Sequence, residues 1–367
     1  MPDQQRAEVR AEGVRIERDG TLGRIVLDQP KSLNALTLEM VAAIERALLD
    51  WLPQPLSTVI IESSDERAFC AGGDIRAIRQ NTLEGRHEVS ERFFATEYRV
   101  NALLADYPHP VISLIDGICL GGGLGLSVHG PFRVVTESAT LAMPETGIGF
   151  FPDVGASYFL PRLPGAIGTY LGLTGERLDA ADALAAGLAT HYCASSAIGE
   201  LPELLRSRGQ HSVDEVLRNI CTTPTTPAVL SEHRPAIDQI FGATSVEQIR
   251  CRLRAADTTW ASDHLQILDR MSPQSLDLTF DLLTRGRERK LIACLTAELR
   301  AAHHVTHSLD FIEGVRAALV DKDRSPAWST DSAYLGVDAE GEPLWSDALN
   351  APEPAPDLDP WSVLPEY

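Results

Sequence analysis

Two short glycine-rich segments are the parts of this chain best suited to chemistry. One is Ala68-Phe69-Cys70-Ala71-Gly72-Gly73-Asp74-Ile75, and the other is Gly117-Ile118-Cys119-Leu120-Gly121-Gly122-Gly123-Leu124-Gly125-Leu126. Each follows a run with strand character and precedes a helical one. Backbone N–H groups there can be left unpaired, with no side chain barring a ligand's approach. Two such donors, one per segment, would grip a single oxygen from two directions. That arrangement suits a carbonyl that gains negative charge during reaction, and each donor is worth roughly 3 kcal/mol. A helix starting at Gly122-Gly123 would add the positive end of its dipole. Taken singly, a Gly-Gly-Gly run is more often a turn or a close-packing point than a catalytic loop. Neither segment is a G-x-x-x-x-G-K-[ST] phosphate loop, and no G-x-G-x-x-G stands in a dinucleotide-binding context.

The elements that must position these segments alternate in type. Gly23–Asp28 reads as a strand stopped at Gln29-Pro30. Thr37 is placed to cap a helix whose apolar positions include Met40, Val41, Ile44 and Leu48. Strands are expected at Thr58–Glu62, Pro110–Ile115 and Phe132–Val135, with a short apolar segment at Thr140–Met143. Strands alternating with helices indicate an α/β fold. After about His191 helical periodicity takes over, through Ser212–Ile220, Ser245–Ala255, Leu276–Leu283, Leu291–His304 and Phe311–Val320. Six prolines amid Asp and Glu mark the last thirty residues as an acidic tail, docked loosely or mobile. The expected organisation is a core at 1–195, a helical region at 196–335 and a tail at 336–367.

The chain of 367 residues carries 52 acidic and 32 basic side chains, a formal net charge of -20. Such a surface repels nucleic acid and anionic membrane, and neither is an expected partner. The six cysteines include no C-x-x-C pair and read as reduced, mostly buried thiols. Residues Met1–Arg18 lack the apolar core of a secretory signal, and the expected location is the cytoplasm. His303, His304 and His307 contain an i, i+4 pair, but without the Glu of H-E-x-x-H they read as a surface helix face.

Three stretches occurring in order, Pro30–Leu36, Phe69–Asp74 and Asp116–Leu126, resemble signatures of the crotonase (enoyl-CoA hydratase/isomerase) superfamily. The resemblance implies a crotonase-like spiral of ββα units with an α-helical C-terminal region. It also implies an acyl-CoA substrate, with the amides of Ala71 and Gly122 on the thioester carbonyl. Homologues commonly form trimers or multiples of trimers. Hydratases of the family use two glutamates; here the first position is Gly125, which can be neither acid nor base, and the second is Glu145.

The stretch Ala142–Gly155 is similar to the 3-hydroxyisobutyryl-CoA hydrolase branch of that superfamily. So are Leu126–Gly130, Tyr158–Leu163, Ala189–His191, Arg270–Leu276, Asp310–Ala317 and Asp321–Pro326. The match covers about Gly20 to Trp328, departing mainly between His211 and Ala261. It implies thioester hydrolysis in valine breakdown, with no metal or redox cofactor. The substrate contacts it implies are Glu97, Gly122, Glu145 and Asp153. Glu145 would attack the acyl carbon or activate a water, and Asp153 would orient that group or shuttle the proton. Glu97 would meet the 3-hydroxyl. Other crotonase chemistry, hydration or isomerisation, and non-catalytic acyl-CoA binding are the alternatives. Lys31, Arg76, Arg79, Lys322 and Arg324 are the cations available for coenzyme A phosphates.

Overall fold

The computed structural model describes residues 7–329. They form two compact units interleaved along the chain. One comprises the chain up to Gly73, Arg99–Ala142 and Arg177–Ser231; the other comprises Asp74–Tyr98, Met143–Glu176 and the chain from Glu232. This division does not coincide with the expected boundary at 195/196, because each turn of the chain contributes to both units. The expected tail lies outside the described residues.

The first unit holds all the strands found among the described residues. They are β1 (Ala7–Ala11), β2 (Val14–Asp19), β3 (Leu22–Leu27), β4 (Thr58–Ser63), β5 (Ala68–Cys70), β6 (Val111–Ile115), β7 (Ile118–Leu120), β8 (Phe132–Val135), β9 (Thr140–Ala142) and β10 (His191–Tyr192). One sheet runs β1-β2-β3-β4-β6-β8-β10 and a second runs β5-β7-β9. Successive pairs β4–β5, β6–β7 and β8–β9 give one strand to each sheet, and each pair is followed by a helical segment. This is the ββα repeat. From β3 onward the larger sheet is parallel, with Ile25 opposite Ile61 and Ile61 opposite Ser113. Its strands read as continuous apolar runs because both faces are covered. On one face Leu22, Ile60, Ile112, Leu114 and Val134 pack with Leu201, Leu205, Val213 and Leu217. The helix Leu38–Trp51 buries Met40, Val41, Ile44 and Leu48, and its Thr37 cap accepts the Met40 N–H.

The second unit is helical. Besides Ile75–Leu83 and the part of His87–Ala105 up to Tyr98, it contains the 3-10 turn Glu145–Ile148 and the short helix Ala156–Phe159. Its longer later helices include Thr259–Arg270, Pro273–Gly286 and Leu291–Val305, the last followed by Leu309–Val315. An aromatic cluster lies at its centre. Phe150 stacks on Phe94 at 5.6 Å between ring centres and on Phe151 at 4.5 Å, and Phe311 adds a tilted contact at 5.8 Å.

Candidate active site

The two glycine segments leave the ends of neighbouring strands in the smaller sheet, where Cys70 of β5 stands opposite Cys119 of β7. They run so close that side chains are excluded. A Cβ on Gly123 would lie 2.6 Å from the Cys70 carbonyl oxygen, inside contact distance. Gly72 has φ +99°, and a Cβ there would lie 3.2 Å from the Leu120 oxygen and 3.7 Å from the Gly122 nitrogen. The convergence of the two loops within one unit is therefore a backbone property.

The donor expected from Ala71 is corrected by this geometry. Its N–H is spent on the Leu33 carbonyl at 2.9 Å, so it cannot also polarise a ligand. The next amide, of Gly72, leans on the Cys70 sulfur at 3.4 Å. Among the described residues the amides of Gly73 and Gly122 donate to no backbone carbonyl. Gly122 opens the helix Gly122–Val128, whose first N–H groups have no partner within the helix.

The Pro30–Leu36 stretch has a mechanical task here. Leu33 and Asn34 both take positive φ, 55° and 56°. The Asn34 side chain donates to Ser63 Oγ, Ala68 O and Phe69 O and accepts the Gln29 N–H. Asparagine tolerates the left-handed region far better than most residues. The stretch fastens the first glycine segment and occupies the Ala71 amide.

In the second unit the structure brings Glu97, Glu145 and Asp153 together, all buried. Glu145 starts its 3-10 turn directly after Pro144, and the Phe150 N–H donates to the Glu145 carbonyl, closing the loop. Asp153 is not the side-chain cap of the helix Ala156–Phe159; its carbonyl accepts the Ala156 N–H and leaves the carboxylate to other work. That carboxylate takes a hydrogen bond from the Tyr98 hydroxyl, 2.8 Å. Oε1 of Glu97 and Oε2 of Glu145 are buried with no protein partner. Such atoms cost free energy unless a ligand or water meets them.

Electrostatics separate the three. Burial raises Glu97 well above the usual carboxylate range, and the charges of Asp153 and Glu145 add to it. Burial and Asp153 do the same to Glu145. Asp153 is pushed up by burial only to about 7, because the Tyr98 hydroxyl and its own backbone amide favour the ionised form. The first negative charge therefore sits on Asp153, while Glu97 and Glu145 retain protons.

Sequence reasoning missed Tyr98 and Glu298. Glu298 is fully buried and bonded to Gly155 and Ser157. One signal was present: Glu298 occupies a core position of an amphipathic helix between Cys294 and Ala301. Asn101, in the first unit, was missed as well, and neither polar atom of its buried side chain has a partner. Gly125 is buried inside its helix, its N–H returning to Gly121 O. Of the phosphate-binding candidates, Arg79 spends Nε on the Ile312 carbonyl, whereas Lys31, Arg76, Lys322 and Arg324 are exposed. His303 pairs with Glu91 at 2.8 Å. Burial pushes the Cys119 thiol far up, as expected of an inert core cysteine.

The human mitochondrial 3-hydroxyisobutyryl-CoA hydrolase is 42% identical over 326 residues, covering 87% of this chain and 84% of the relative. The zebrafish (Danio rerio) mitochondrial enzyme of the same name is 43% identical over 332 residues, covering 88% and 86%. Among solved structures, a carnitinyl-CoA dehydratase from Mycobacterium thermoresistibile matches with a TM-score of 0.84 at 35% identity, covering 93% of this chain and 97% of that one. An enoyl-CoA hydratase from Rhodobacter sphaeroides 2.4.1 matches with a TM-score of 0.81 at 36% identity and the same coverage. The sequence model of the enoyl-CoA hydratase/isomerase family matches residues 22–340. Matched over most of its length by the family's model, and to named relatives at more than 40% identity, the chain belongs to the enoyl-CoA hydratase/isomerase family.

Proposed function

We infer that this chain is an acyl-CoA thioester hydrolase that converts 3-hydroxyisobutyryl-CoA and water to 3-hydroxyisobutyrate and coenzyme A, a step of valine catabolism. The observation that carries the reading is the trio of buried carboxylates in the second unit, with one oxygen of Glu145 and one of Glu97 left unpartnered. Relatives named as 3-hydroxyisobutyryl-CoA hydrolases at 42–43% identity support the substrate class.

The amides of Gly73 and Gly122, rather than that of Ala71, hold the thioester oxygen as it becomes an oxyanion. Asp153 takes the proton that Glu145 must lose, and it later returns that proton to the departing thiolate. The Glu145 carboxylate either draws a proton from a water that attacks the acyl carbon or attacks that carbon itself, giving an anhydride that a water then hydrolyses to the free acid and the Glu145 carboxyl. A carboxylic acid near neutrality suits that shuttle, since it gives and takes a proton at little cost. Protonated Glu97 bonds the substrate 3-hydroxyl. No metal or redox group enters the scheme, and the assembly is a trimer or a multiple of it, which light scattering on the purified protein tests.

Hydration is the second reading, favoured by the solved relatives described as a hydratase and a dehydratase. Gly125 counts against it, because that position offers no second acid or base. Thiol release from 3-hydroxyisobutyryl-, 3-hydroxypropionyl- and crotonyl-CoA separates the two. Fast release from the 3-hydroxy esters with crotonyl-CoA untouched is expected. Rapid loss of crotonyl-CoA absorbance without thiol would overturn hydrolysis. Among the described residues no helix is long and apolar enough to cross a membrane. The vertebrate relatives are mitochondrial by name, and cytoplasmic placement of this chain remains part of the proposal, to be tested by fractionation.

A further inference from the structure

We propose that Glu298 is a positioning residue for hydrolysis: from the helix Leu291–Val305 its carboxylate grips the turn that carries Asp153 and fixes where the Asp153 carboxylate points. The proposal rests on the role given to Asp153 above.

The turn is unusual. Val154, next to Asp153, has φ +53°, and Gly155 follows at +86°. A β-branched residue in the left-handed region is a genuine outlier that persists only where the surroundings over-determine it. Val154 is also fully buried, so the turn cannot relax outward. What over-determines it is Glu298. The Gly155 N–H donates to Oε2 at 2.7 Å, the Ser157 N–H donates to Oε1 at 2.9 Å, and the Ser157 hydroxyl reaches Oε1 at 2.5 Å. Both oxygens are used, each on a residue within four of Asp153. On the far side Tyr98 holds Oδ2 of Asp153. The Asp153 side chain is thus held by Tyr98, and the turn that follows it by Glu298.

A merely structural account explains the position poorly. The neighbouring buried residues of this helix, Cys294, Leu295, Thr296, Ala297, Ala301 and Ala302, carry no charge, and the Thr296 hydroxyl bonds within the helix to the Ile292 carbonyl. A buried carboxylate is costly there, and an apolar residue would pack at lower cost. No cation pairs with Glu298 among the described residues; Arg162 and Arg289 act on Cys294 instead. Burial and the charge of Asp153 push Glu298 up to about 8, against the pull of its three donors. The groups that share its field are Asp153 and Tyr98, with Glu97 and Glu145 beyond them. Precise placement of Asp153 is what the three bonds supply in return.

The test compares Glu298→Gln, Glu298→Asp and Asp153→Asn with wild type, using the full chain and 3-hydroxyisobutyryl-CoA. Gln keeps the reach and loses one of the two acceptor oxygens; Asp keeps both oxygens and loses the reach. Both Glu298 variants should lose roughly 100-fold in kcat, with KM and melting temperature near wild type. The limb on which activity rises with pH reports Asp153 and should stay in place in both variants, because Glu298, raised to about 8, still holds its proton where Asp153, at about 7, titrates. Wild-type kcat in both, with Asp153→Asn inactive, overturns the proposal while sparing the role of Asp153. A parallel fall of kcat and melting temperature overturns it too, as a folding effect. Full activity in Asp153→Asn removes the underlying reading. Should the Glu298 variants not accumulate, Ser157→Ala withdraws one donor and leaves the carboxylate. It should lower kcat by a smaller factor at unchanged melting temperature, and an unchanged kcat there overturns the proposal.

Discussion

The two units treat their polar groups in opposite ways. In the sheet-bearing unit, backbone donors near the glycine segments are almost all spent: Ala71 on Leu33, Gly121 on Ala142, Gly125 on Gly121. What remains for a ligand among the described residues is what strand ends and a helix start leave over, the amides of Gly73, Gly122 and Gly123. In the helical unit, side chains that ought to ionise are buried without cations, and two oxygens have no protein partner. One unit offers fixed dipoles at little cost to folding. The other holds titratable groups at a cost, which marks them as functional. Dipoles suit stabilising a charge that appears during reaction, and costly carboxylates suit moving a proton.

The carboxylate side of this contrast breaks most visibly at Glu145. Glu145→Gln keeps size and removes the proton-accepting oxygen, so thiol release should fall by at least about 10³-fold. Binding of the CoA ester, read by tryptophan fluorescence or calorimetry, should stay close to wild type. Unchanged turnover would move the chemistry off Glu145. A single turnover in ¹⁸O-water sharpens the result, because label in the protein requires direct attack followed by water opening the anhydride at the Glu145 carbonyl, and water attack on the thioester labels only the product.

The dipole side breaks at Gly123. A Cβ there would stand 2.6 Å from the Cys70 oxygen, and that oxygen belongs to backbone that cannot swing away. Gly123→Ala should cost about 1–3 kcal/mol of stability through overpacking. It should also part the two amide-bearing loops and lower kcat roughly 100-fold, the loss expected for one misplaced oxyanion donor. Thermal melting and initial rates on the same preparation read both. Wild-type kcat would show that the loops tolerate a gap and that their amides do not act together.

The difference between the units also explains what the sequence made legible. Strands β3, β4, β6 and β8 and the helix capped by Thr37 lie within a residue or two of expectation, because apolar runs and caps are local signals. The glycine loops were legible for the same reason, but the particular donor was not. Ala71 is disqualified by Leu33, 38 positions earlier in the chain, whose positive φ no pattern announces. Strands β1 and β2 were missed, since the charged Ala7–Asp19 segment alternates Arg and Glu on a half-exposed edge. Glu97, Glu145 and Asp153 were identified only through resemblance, as side chains so far apart in sequence carry no spacing rule. Tyr98 and Glu298 had no motif at all. The interleaving of the two units is likewise invisible to any reading that looks for a single boundary.

The mildest expected effect concerns stability rather than rate, and it tests the claim that the second unit carries its carboxylates at a cost. Asp153 is raised to about 7 in the folded chain, against roughly 4 when unfolded. Between those values the folded state keeps a proton that the unfolded state has lost, so stability falls as pH rises through this window and levels off above it. Asn at the same position can still accept the Tyr98 hydroxyl and does not titrate. Asp153→Asn should therefore melt close to wild type near pH 4.5, where both side chains are neutral, and on the order of 5 °C higher at pH 8. Equal melting temperatures of Asp153→Asn and wild type at both pH values would mean that Asp153 carries its charge without penalty, and the contrast between the two units would rest on the backbone amides alone.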